Sequence, residues 1–139
     1  MAPYETRAIE KDVQERLIKV LGSCLPEDGM DLILIDRDRF CWTSNSDACD
    51  GLLEGASILE DMISRIDDGD EPALTCVGDA FLVGVHLRTP CSDYGYALLL
   101  LSHVDYDSLL QNWSFVESTL NQMQCIAGLL EMQDDPMHL

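Results

Sequence analysis

Five residues in succession, Ala97-Leu-Leu-Leu-Leu101, sit inside a segment, Tyr94 to Val104, that has no polar face. A strand with one side in water shows polar residues at alternate positions. A strand without them is covered on both sides, so the chain has to build a layered domain with this strand inside the sheet. The apolar run is far too short to span a bilayer, which takes about 20 residues.

The rest of the chain divides around that strand. Ile9, Val13, Leu17, Val20 and Leu21 share one stripe at helical spacing, which predicts a helix over residues 5–22 that Gly22 and Pro26 end. Asp31 to Asp36 and Phe40 to Ser44 read as two strands joined by the polar turn Asp36-Arg-Asp-Arg39, an antiparallel hairpin. Leu52, Leu59, Met62, Ile63 and Ile66 predict a second helix over 47–66, capped by Ser46 or Asp47. Gly51 and Gly55 lie one turn apart within it. After the loop Asp67 to Pro72, three strands follow: Ala73 to Val77, Phe81 to Arg88, and Tyr94 to Val104. Residues 106–132 form the last helix, capped by Asp105 or Asp107.

The fold class is therefore α/β in the α+β sense, in the order α-β-β-α-β-β-β-α. A central, mainly antiparallel five-stranded sheet carries one crossing helix on one face, and the N- and C-terminal helices lie on the other. Residues 1–139 read as one domain, with a core from about 8 to 132 and a tail over 133–139.

Charge restricts the partners. Asp and Glu total 26 against 8 Lys and Arg, a formal net charge of −18. No Lys or Arg follows Arg88, and the stretch Asn45 to Asp79 holds ten acids against Arg65 alone. Such a surface repels phosphate, which argues against direct nucleic-acid binding and against an anionic membrane. It suits a basic protein partner or plain solvation. The polar start MAPYETRAIEKDV does not resemble a signal peptide, so the expected location is cytoplasmic, with reduced thiols.

The last helix carries more than a sheet requires. Leu109, Trp113, Val116, Leu120 and Met123 follow alternating steps of four and three, a heptad stripe that Ala127 and Leu130 extend. Leu110, Phe115, Ile126 and Leu129 lie off it, so the apolar arc is wider than one seam. At 1.5 Å per residue the helix runs roughly 40 Å. These features make Leu109, Trp113, Val116, Leu120 and Met123 the expected homodimer interface, with intramolecular packing as the alternative.

Chemistry is hard to find. Cys24, Cys41, Cys49, Cys76, Cys91 and Cys125 show no Cys-x-x-Cys spacing, and His86, His103 and His138 fall in no ligand pattern with them. The expectation is buried cysteines acting as small apolar residues, with Cys91, in a turn, the exposed exception. There is no nucleophile elbow, no phosphate-cradling glycine loop and no EF-hand. Neither a catalytic residue, a metal site nor a cofactor is expected.

The element order, the hairpin Leu32 to Phe40, the hairpin Phe81 to Leu101, where the family often has an apolar strand, a short turn and then Gly-x-Leu-x-Leu, and the helix segment Glu117 to Glu131 together resemble a GAF domain, a relative of PAS domains. The segment Ser44 to Glu71, where that family builds its ligand lid, is short. The same order is similar to roadblock-type dynein light chain domains, which are dimeric scaffolds. The GAF resemblance implies a pocket between the sheet and the Ser44 to Glu71 segment. Strand alternation puts Leu82, Gly84, His86 and Arg88 on one face, and Trp42, Gly84, His86 and Arg88 become the candidate ligand residues. The functional expectation is a non-catalytic sensory or regulatory domain that acts as a dimer and binds a small molecule or a signalling partner. The alternative is an interaction scaffold, inhibitor or chaperone that holds a basic protein.

Overall fold

The computed structural model describes residues 15–23, 25, 30–44, 56–90, 92–102 and 104–134. Helix α1 covers residues 15–23. The strands are β1 (Met30–Ile35), β2 (Cys41–Thr43), β3 (Ala73–Val77), β4 (Ala80–Arg88) and β5 (Asp93–Ser102). Helix α2 (Ala56–Asp67) lies between β2 and β3, and α3 (Tyr106–Gln111) and α4 (Trp113–Asp134) follow β5.

The five strands form one sheet in the order β2-β1-β5-β4-β3, with every neighbouring pair antiparallel. β5 is the central strand, and all of Tyr94 to Leu101 is buried. The absence of a polar face has the expected cause: each side of β5 meets a helical layer. On one side Leu32, Leu34, Val83 and Leu99 pack with Leu17 and Leu21 of α1 and with Val116, Leu120, Met123 and Ala127 of α4. On the other, Ile33, Ile35, Leu82, Leu98 and Leu100 pack with Leu59, Met62, Ile63 and Ile66 of α2. Each fully buried aliphatic side chain contributes about 1.5–3 kcal/mol, so both layers are needed to hold the sheet.

The last helix differs from the expected pattern. It is broken at Asn112, whose backbone (φ −106°, ψ 15°) leaves helical geometry while its side-chain amide donates to the Ser108 carbonyl at 2.9 Å. Asparagine offers the backbone a competing local partner, and here that interrupts the helix. The predicted cap is present: Asp105 accepts from the Ser108 N–H at 2.7 Å, which holds its carboxyl below the ordinary value. The second helix is described from Ala56, so Gly51, Gly55 and the expected caps Ser46 and Asp47 lie outside the described residues. So do Cys24, Cys49, Cys91, His103 and His138. No described helix is long and apolar enough to cross a membrane.

Candidate interaction surface

The four expected ligand residues do not line one pocket. Trp42 pairs with Leu34 across the hairpin and packs with the α1 and α4 side of the sheet. Gly84 and His86 face the α2 side, and Arg88 is exposed at the strand end. The space beside Gly84 is filled. A Cβ there would lie 2.1 Å from Leu98 Cδ2, 3.2 Å from Ile66 Cδ1 and 3.4 Å from Met62 Cε. Glycine at this position lets α2 side chains close directly on the sheet.

His86 is part of a structural network. It is 8% exposed and stacks on Tyr96, with ring centroids 5.1 Å apart. Its Nε2 lies 3.3 Å from both Asp93 Oδ2 and the Arg37 guanidinium. Arg37 Nε donates to the same carboxylate at 3.1 Å. Burial pulls the Asp93 carboxyl upward, but the Arg37 hydrogen bond, the Gly95 N–H and His86 outweigh it and hold it below the ordinary value. The cluster joins β4, β5 and the β1–β2 turn. That turn is closed by Asp36, whose carboxylate accepts from the N–H groups of Asp38 and Phe40 at 2.9 Å each.

Gly95 sits where β5 changes face. Its φ of 99° is left-handed, and a Cβ would lie 2.1 Å from the Ile35 carbonyl. The register with β4 shifts at Leu87/Arg88. As a result Tyr94 and Tyr96, two residues apart, belong to opposite faces. The Tyr94 hydroxyl donates to Glu131 of α4, and the Tyr96 hydroxyl donates to Asp67 of α2 at 2.8 Å. Burial and the Asp67 bond push the Tyr96 phenol above its ordinary value. α4 is anchored again at β4, which outruns β3. The Gln124 side chain donates to the His86 carbonyl and accepts from the Arg88 N–H at 3.1 Å, and the Glu71 carboxylate accepts from the His86 N–H at 2.5 Å.

The expected dimer stripe is used inside the chain. Leu109, Val116, Leu120 and Met123 are buried against the sheet, and Trp113 is half-buried against the same core. A 3-4 repeat marks a face that must be covered, and here the chain's own β4 and β5 cover it. The outer side of α4 is different. Phe115, Leu129 and Met132 are 47%, 60% and 56% exposed, and Ser118, Gln122 and Cys125 lie exposed between them. Beside them Leu21, Leu25, Phe115, Thr119, Met123 and Ile126 line a groove of about 160 Å³ between α1 and α4. Among the described exposed positions of α4, Glu117 is the only charged residue. The outer side of α2 presents Glu60, Asp61 and Asp67 instead.

This outer face was signalled in the sequence by Phe115 and Leu129 lying off the heptad stripe. The missing charge was the stronger clue. Three cysteines also depart from expectation: Cys41, Cys76 and Cys125 are exposed, because strand alternation or the outer helix face turns them outward. No family model, no curated protein and no solved structure matches this chain.

Proposed function

We propose that this domain is a protein-interaction module that works through its surfaces, acts as a homodimer and holds a basic protein partner. The division of its exterior carries this reading. The outer side of α2 is acidic, whereas Glu117 is the one charge among the described exposed positions of α4, so the two helices suit different kinds of contact. The packing at Gly84 adds support, since a ligand lodged between the sheet and α2 would have to displace Met62, Ile66 and Leu98. Of the two family resemblances, the roadblock-type scaffold agrees better with a filled interior.

The test is capture of partners from the native host at low and high salt, with the wild-type chain and with D61N/D68N. Both of these residues are exposed. A basic protein that is retained at low salt, released at high salt and weakened by neutralisation is the expected result. Native mass spectrometry that finds a small molecule bound to the purified chain, with no protein partner captured, would overturn the proposal.

A further inference from the structure

We infer that the outer face of α4 is where two copies of this chain meet, packed antiparallel. This deepens the proposed self-association by assigning its surface.

The face has the pattern of a seam. Phe115, Ser118, Gln122, Cys125, Leu129 and Met132 recur at steps of three and four, and all six are exposed. They lie on the side of α4 away from Val116, Leu120, Met123 and Ala127, which the sheet has already covered. A second seam at this spacing is what a helix needs in order to pack on another helix.

Charge selects the occupant. The chain carries −18, so contact between two copies through the acidic surface of α2 and the loop after it brings acids against acids. None of the six stripe residues is charged, Glu117 is the one charge among the described exposed positions of α4, and α4 contains no Lys or Arg. A basic partner finds little to pair with on α4, and an anionic membrane finds no cation on that helix. A second copy finds a neutral surface that matches its own.

The stripe is also symmetric about its middle, between Gln122 and Cys125. In an antiparallel two-fold pair, Phe115 opposes Met132 of the second copy, Ser118 opposes Leu129, and Gln122 opposes Cys125. Ser118 and Cys125 then face the larger Leu129 and Gln122, while Phe115 and Met132 meet at the two ends of the contact. Antiparallel helix dipoles attract. The groove between α1 and α4 receives the bulky side chains at the margin. One helix face is small beside the roughly 800 Å² per partner of a standard interface, so association in the micromolar range is expected.

Sedimentation equilibrium of the full chain over roughly 5–200 µM tests this, since a weak dimer populates with concentration. Wild type should approach twice 15.5 kDa, and more completely at 500 mM than at 50 mM salt, because salt screens the acid–acid repulsion. That direction is opposite to the one expected for a basic partner. Leu129→Glu, at an exposed position, should leave the melting temperature unchanged at the lowest concentration, where the chain is monomeric, and weaken the dimer at least about tenfold by placing a charge in an apolar contact. A short bismaleimide should join two wild-type copies, and Cys125→Ser should remove the joined species. A dimer that Leu129→Glu leaves intact, or joining that survives Cys125→Ser, overturns this face while self-association stands. A monomer throughout the range overturns both, and capture of a basic partner would then be the part of the proposed function left standing.

Discussion

The two helical layers that enclose the sheet are alike inside and unlike outside. α2 and α4 each bury a stripe of aliphatic residues against opposite faces of the same five strands. Outwardly, α2 shows three acids within two turns, whereas α4 shows Phe115, Leu129 and Met132 with Glu117 as its one described exposed charge. The fold requires only the inner stripes. The outer residues are free of that requirement, so their difference is where function can be read.

Three measurements probe the comparison. The largest effect concerns the inner equivalence. Leu98 faces α2 and Leu99 faces α4, and both are fully buried, so truncating either to Ala should cost about 2–5 kcal/mol in denaturant titrations. If one truncation were nearly neutral, the corresponding layer would not be closed. A smaller effect is expected at the hydroxyl ties. Tyr96→Phe frees α2 from its bond to Asp67, and Tyr94→Phe frees α4 from Glu131. Each should lower stability by about 0.5–1.5 kcal/mol, and amide exchange should quicken in the helix that lost its tie.

The smallest effect is one of pH, confined to the cluster at His86. The Asp93 carboxyl titrates below its unfolded value, so its contribution is present above the ordinary carboxylate range and is lost as pH falls through the folded value. Denaturation midpoints measured from pH 7 down to pH 3 should fall less steeply for Asp93→Asn than for wild type. Equal slopes would remove Asp93 from the acid response.

What could be read from the sequence follows from how local each signal is. β3 matched at both ends, and β5 was legible as the central strand, because an uninterrupted apolar run reports its own burial. The 3-4 stripe from Leu109 to Met123 reported burial equally well, but the pattern is the same whether the covering surface belongs to the chain or to a second copy. Trp42 and His86 were assigned to one pocket because alternation orders residues only within a strand. Which face a residue shares with another strand depends on register, here Leu34 opposite Trp42 and His86 opposite Tyr96. The turnover at Gly95 was illegible for a related reason: a glycine in a strand carries no mark of the carbonyl it approaches.

β4 continues beyond the end of β3, and such an overhang is normally a template on which a stray strand can add. In this chain the exposed backbone row is answered by side chains, Glu71 from the preceding loop and Gln124 from α4. A strand adding to this part of the sheet would have to displace both side chains, and Gln124 stays in place only while the last helix is seated. The glutamine that docks the helix thus also occupies the free edge, and partial detachment of α4 would expose it.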